Sequence, residues 1–338
     1  MKTVVLLAAL AVAPVLHAQT QWKLATGYRA ESFHTRNVVQ FAQDVERASG
    51  GVLRIEVHAN NTLFKLGEIP LAVQDGKVQA GETIMTSLVQ GMPIAGADTV
   101  PFLVRSYADA RRLWDLQRPL IDGHFAAKGL KALYAVPWPP QGLFSIGPVR
   151  SSADFKGTRM RTYNPATVRI AELLGATPVD VPMVEVNKAL SAGKLDSMIT
   201  SALTGVENQV WGQIKQYYGI NAWLPKNIVF VNQQAFDALP PAARQAVTQA
   251  AAEAETRGWA LSAAVAEESV GELQRKGIKV ERASAELDTE LKRLGERFSR
   301  EWVQSVGNEA NKIFIPYYFQ SYSFSPLVRQ SVSSFVNQ

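Results

Sequence analysis

Apolar side chains recur along this chain in two rhythms, one of period two and one near 3.6, and their succession predicts the elements. Residues 22–28 read as a short strand, and residues 32–49 as a helix whose Phe33, Val38, Phe41 and Val45 share one face. Gly50 and Gly51 stop that helix, and residues 52–58 then alternate apolar with polar side chains, as a half-covered strand does. A second pair follows, a helix over 69–75 ended at Gly76 and a strand over 79–87. Beyond a loop with Pro93, Gly96 and Pro101, the pattern predicts a helix over 106–128, capped by Ser106 and ended by Gly129, then a strand over 130–138. Strands alternating with helices predict an α/β fold with mainly parallel sheets covered on both faces.

The segment Trp138-Pro-Pro-Gln-Gly142 is a natural crossover to a second lobe, because two prolines fix the backbone and the glycine frees it. The rhythm then restarts, with strands over 143–146 and 160–163, a helix over 165–174 and another over 184–191. Gly76-Lys-Val-Gln-Ala-Gly-Glu-Thr-Ile-Met-Thr-Ser in the first half resembles Gly193-Lys-Leu-Asp-Ser-Met-Ile-Thr-Ser in the second, so each lobe carries a helix–Gly–Lys–strand unit. From 240 to 276 the chain is rich in alanine, opens with proline and is followed by Gly277. It predicts one helix on the order of 50 Å long, enough to bridge both lobes, with Gly258 permitting a bend in its middle.

The first residues change the picture of location. Lys2 precedes an apolar run from Val4 to Leu16, the pattern of a secretory signal, with cleavage expected after Ala18. The run is shorter than the roughly 20 apolar residues of a membrane span, and Pro14 interrupts it. Residues 1–18 are therefore read as a signal peptide and the mature protein as periplasmic. The whole chain of 338 residues is 47% hydrophobic and 19% charged, the composition of an ordered globular protein of two domains. It has no cysteine, which excludes a disulfide scaffold, a zinc ribbon, an iron–sulfur cluster and a thiol nucleophile. The formal charge is +5, but the basic residues are scattered among acids, so no basic stripe points to nucleic acid.

Catalytic signatures are missing: there is no Gly-x-Ser-x-Gly elbow, no His-Glu-x-x-His, no Walker loop and no Gly-x-Gly-x-x-Gly after a strand. His17 leaves with the signal, and His34, His58 and His124 lie too far apart to form a local metal-ligand pair. No metal, no cofactor and no catalytic residue is expected. Two α/β lobes without catalytic machinery suggest a cleft that closes around a solute. The ordered series Trp138-Pro-Pro-Gln-Gly142, Ala153-Asp-Phe-Lys-Gly-Thr-Arg-Met-Arg161, Leu174-Gly-Ala-Thr-Pro178, Pro182-Met-Val-Glu-Val-Asn187, Leu190-Ser-Ala-Gly-Lys-Leu-Asp196 and Leu239-Pro-Pro241 resembles the substrate-binding subunit of tripartite ATP-independent periplasmic (TRAP) transporters. The resemblance implies a two-lobed periplasmic solute-binding fold, a long helix spanning both lobes, and delivery of an organic acid to a TRAP-type membrane permease.

Strand alternation puts Arg159 and Arg161 on one face and does not separate them; the resemblance implies that Arg161 pairs with the ligand's carboxylate. A guanidinium suits that role because it holds a carboxylate by two parallel bonds and stays charged away from water. The resemblance also places Gln141, His34 and Glu68 as polar contacts. Where many relatives carry a Gly-Gln-Glu-Asn-Pro-like run, residues 197–205 offer hydroxyls instead, and Thr200, Ser201 and Thr204 are candidates to meet ligand oxygens. Trp138, Phe144, Tyr163, Trp211 and Trp223 are candidates for an apolar wall, with Trp138 and Trp211 favoured, which would suit a bulky or aromatic monocarboxylate. The expected lobes are 20–137 plus 228–257 and 138–227 plus 258–338. The alternatives are an exported enzyme working through His34 and Glu68, and a protein reporting its ligand to a membrane sensor.

Overall fold

The computed structural model describes residues 19–323, and the expected signal peptide lies outside them. The first half comprises β1 (Thr20–Ala25), α1 (Phe33–Ala48), β2 (Leu53–His58), α2 (Ile69–Gln74), β3 (Ala80–Ile84), α3 (Tyr107–Ala127) and β4 (Leu130–Pro137). Next come β5 (Gln141–Ser145), β6 (Arg159–Thr162), α4 (Pro165–Leu174), β7 (Thr177–Asp180), α5 (Val186–Ser191), β8 (Ser197–Ser201), α6 (Ala202–Glu207) and β9 (Gln216–Tyr218). The chain ends with β10 (Lys226–Asn232), α7 (Gln233–Asp237), α8 (Pro241–Arg275), β11 (Lys279–Glu281), α9 (Ala285–Val306) and α10 (Asn308–Ser323). The predicted helix starts rest on real caps: the Ser106 hydroxyl accepts from the Asp109 N–H, and the Asn164 amide oxygen accepts from the Thr167 N–H.

Two sheets result, ordered β2-β1-β3-β10-β4 and β11-β9-β5-β8-β6-β7. Their parallel ladders match the predicted alternation, and every antiparallel ladder among the described residues involves β10 or β5. The sheets are built alike. β1 runs parallel to β2 and β3, and β6 runs parallel to β7 and β8; β10 opposes β3 as β5 opposes β8. The unit β1-α1-β2-α2-β3 is thus repeated as β6-α4-β7-α5-β8. Gly76 and Gly193 hold equivalent places in it, each in the left-handed region (φ 70° and 63°) where the chain leaves the second helix for the third strand.

The chain crosses between the sheets between β4 and β5 and again between β9 and β10. The crossings are bonded to each other: the Trp138 N–H donates to Pro225 O (2.7 Å), the Gln141 N–H to Trp223 O (3.0 Å) and the Ala222 N–H to Gln141 O (2.9 Å). The long helix is present as α8, 35 residues with Pro241 in its first turn. Its first half buries Ala243, Val247, Ala250 and Ala254 under the first sheet; near its end Leu273 joins Phe144, Leu190 and Met198 under the second. Gly258 serves close approach: a Cβ there would stand 2.4 Å from a methyl of Val136 and 2.8 Å from the Asn37 amide nitrogen. After β11, α9 packs on α4, and α10 returns to pack on α3 of the first half.

Candidate ligand-binding cleft

In each repeated unit the strand order reverses between the first and third strands, and the crevice beyond their carboxyl ends is where open α/β sheets receive ligands. Here the two crevices face each other and form a single cleft of about 500 Å³. Tyr28, just beyond β1, and Ile84, Thr86 and Ser87, at and after the end of β3, line it from the first sheet. Arg161 and Tyr163 from the end of β6, and Thr200 and Ser201 from the end of β8, line it from the second. Trp138, Gln141 and Pro225 of the crossings form its back.

The structure separates the two arginines that alternation left together. Arg159 is exposed and tied to Asp196, with Nε donating to one carboxylate oxygen (2.9 Å) and Nη2 to the other (2.7 Å). Arg161 is 3% exposed; its Nε donates to Val181 O (2.9 Å), and its guanidinium carbon lies 4.8 Å from the centre of the Tyr163 ring. No carboxylate among the described residues forms an ion pair with it. Burial pulls its pKa down to about 10 against the favourable fields of Tyr163 and Asp180, so it remains a cation at neutral pH. A buried cation without an ion-paired carboxylate is costly, and an entering carboxylate would offset that cost through the free fork.

Trp138, Gln141, Tyr163, Thr200, Ser201 and Thr204 all line the cleft. The Gln141 amide already donates to Pro139 O (2.8 Å), and its oxygen is 3.5 Å from the Tyr163 hydroxyl. Ser201 caps α6 by accepting from the Thr204 N–H (3.1 Å), and the two hydroxyls lie 3.0 Å apart. Three expected contacts stand elsewhere. His34 is 1% exposed behind the wall, its ring 4.4 Å from that of Trp138, because α1 presents it to the core rather than to the cleft. Glu68 is exposed and accepts from the Lys65 N–H (3.0 Å), closing the start of its own turn. Trp211 does not line the cleft; it is half-buried against the core that Leu273, Phe144 and Met198 share, beneath the Lys276 ammonium (5.3 Å). The two residues on which an exported enzyme was imagined therefore do not meet in the cavity. Phe144 and Trp223 are core residues.

Tyr28, Arg29, Asn164 and Asp180 also line the cleft and escaped the sequence reading. The usable signal was position for Tyr28, which ends a predicted parallel strand, whereas Asp180 ends β7, a strand the apolar pattern did not predict. Among the described residues no cluster of three or more potential metal ligands occurs, and no helix is long and apolar enough to cross a membrane.

The model of the bacterial extracellular solute-binding proteins of family 7 matches residues 24–304. The crystal structure of DctP6, a Bordetella pertussis extracytoplasmic solute receptor described as binding pyroglutamic acid, is similar to this chain at 38% identity and a TM-score of 0.86, covering 88% of this chain and 99% of the receptor. A marine metagenome TRAP solute binding protein described as specific for pyroglutamate is similar at 37% identity and a TM-score of 0.86, covering 89% and 99% respectively. The 2,3-diketo-L-gulonate-binding periplasmic protein YiaO of Escherichia coli (strain K12) is 24% identical over 305 residues, 86% of this chain and 87% of its own length.

Proposed function

This chain belongs to the bacterial extracellular solute-binding proteins of family 7, and we propose that it captures a compact cyclic monocarboxylate of the pyroglutamate kind, with Arg161 as the anchor of the acid group. It is a TRAP-type solute receptor: such receptors work outside the cytoplasm and deliver small organic acids to membrane permease components. The observation that carries the finer reading is the buried, unpaired guanidinium of Arg161 at the meeting point of the two crevices. Arg161 is the only buried cation that lines the cleft among the described residues, and Asp180 shares that lining, so a second carboxylate on the ligand would find no buried partner. Trp138, Tyr28 and Tyr163 offer flat apolar faces against which a small ring can lie. The pyroglutamate receptors similar at 37–38% identity support this choice of size and charge.

In this reading the lobes are 20–137 plus 228–257 and 138–227 plus 258–338, of which 324–338 lie outside the described residues and α10 reaches back onto α3 of the first lobe. The paired crossings are the hinge, and closure follows because a ligand touching both lobes binds the shut form more tightly. Titration calorimetry with L-pyroglutamate tests the anchor. Arg161→Ala is expected to weaken binding about 100-fold or more, near the upper end for a charge-assisted pair, and Arg161→Lys to retain part of it. Equal affinity in the alanine variant, or equally tight binding of neutral 2-pyrrolidone, would overturn the reading.

A further inference from the structure

The polar ends of two rings of the cleft wall, Trp138 and Tyr28, point away from the cavity into the first sheet. Trp138 and Tyr28 pack with ring centres 5.2 Å apart, and both surrender their donors to one atom: the Trp138 indole N–H donates to Asn227 Oδ1 (2.8 Å), and the Tyr28 hydroxyl donates to the same oxygen (3.1 Å). The other end of that amide is committed too, since Asn227 Nδ2 donates to Glu82 Oε1 (3.0 Å), while the Thr26 hydroxyl donates to Glu82 Oε2 (2.6 Å). Thr26, Glu82 and Asn227 are each 1% exposed, and none of them lines the cavity. They come from β3, β10 and the segment after β1, so neighbouring strands of one sheet supply the chain of bonds.

The direction of this chain has a chemical reason. An indole N–H can only donate, so Trp138 needs an acceptor at that spot. An asparagine amide offers an oxygen or an NH₂ depending on which way it is turned, and the Glu82 oxygen requires the NH₂ on its own side. Glu82 therefore orients Asn227, and Asn227 holds both rings. We propose that Asn227, oriented by Glu82, is a positioning residue for ligand capture: it fixes the rings of Trp138 and Tyr28 as a rigid wall without touching the ligand itself. The proposal rests on the cleft being the ligand site and adds that its wall is set from behind.

The test is a mutant cycle with L-pyroglutamate as the probe, melting temperature being followed in parallel. Asn227→Ala is expected to weaken binding about tenfold in the wild-type background and less than threefold in a Tyr28→Phe/Trp138→Phe background, where no donor remains for it to hold. Glu82→Gln keeps an acceptor for Asn227 and is expected to bind within threefold of wild type. A purely structural role would lower the melting temperature and leave the two backgrounds with the same loss. Equal losses, or an Asn227→Ala protein that binds within twofold of wild type, overturn the proposal; Asn227→Ser repeats the cycle should the alanine variant not fold. A second readout needs no ligand and separates this proposal from the choice of pyroglutamate. The Trp138 indole N–H resonance, identified by its loss in Trp138→Phe, is expected to shift and to exchange faster with solvent in Asn227→Ala. An unmoved resonance overturns the proposal even if the wild-type protein takes no pyroglutamate.

Discussion

Arg159 and Arg161 stand two residues apart on β6 and meet opposite fates: one closes a surface pair with Asp196, the other is buried at the cleft with no carboxylate in ion-pair contact among the described residues. The difference is depth, since Arg161 lies one pleat nearer the carboxyl end of the strand, where the second lobe faces the first. Glu82 is the acidic counterpart in the first sheet. Burial pushes its carboxyl up to about 7, against the bonds from Thr26 and Asn227 that pull it down. A folded-state value above the unfolded one means stability that is present below about 4.5 and lost as pH rises through about 7. Wild type is thus expected to lose stability relative to Glu82→Gln between pH 5 and pH 8, as followed by urea unfolding at each pH; a constant difference would show that Glu82 does not titrate there. Burial holds His34, whose Nδ1 lies 3.7 Å from Glu82 Oε1, well below its ordinary value, the opposite sign, so its protonation opposes folding in acid. Nothing in the spacing of Glu82 distinguished it from the other acids of the chain. Its role arises from Asn227, which is 145 residues away in sequence.

At the scale of elements the rhythm of apolar residues was a reliable guide, because it reports which face of a helix or strand meets the core. Residues 165–174 and the helix near 241–275 were legible from proline at the start and glycine or a change of composition at the end. What the rhythm did not carry is how elements approach one another. Gly258 reads as a point of bending, yet its place opposite Val136 and Asn37 makes it a spot where α8 lies close against β4 and α1. Alanine in an isolated helix would gain about 1 kcal/mol there. Overpacking against β4 costs typically 1–3 kcal/mol, so Gly258→Ala is expected to lower the urea midpoint. A raised midpoint would mean that Val136 yields freely. Trp211 shows the same limit, since it lies between α6 and β9 yet packs beneath Lys276 at the end of α8 and not in the cleft.

For the whole molecule, the decisive contacts are those made across the cleft. Arg29 of the first lobe donates to Glu207 O (3.0 Å), at the carboxyl end of α6, and to Val184 O (3.4 Å), both in the second lobe. A cation at a helix carboxyl end is favourable, and here it fastens the two walls at the mouth. Burial pushes the nearby Glu207 carboxyl up to about 7 even with Arg29 and Arg36 pulling it down. Arg29→Ala removes the fastening while leaving the Arg161 anchor in place. Loss of about 1 kcal/mol from the shut form is expected to speed ligand release roughly fivefold in stopped-flow displacement. An unchanged release rate would show that these bonds do not hold the lobes together.

Local chemistry acts over a few residues, and it was enough to establish the α/β alternation, the repeated helix–Gly–Lys–strand unit, the crossover at Trp138–Gly142, the bridging helix, and an arginine at the end of a strand. The cleft is made by groups tens to hundreds of residues apart. Which arginine is buried, which tryptophan faces the cavity, and where His34 and Glu68 point were decided by strand register, the face each helix turns to its sheet, and the approach of one lobe to the other. Those depend on packing between distant segments, which no periodicity along a single segment records.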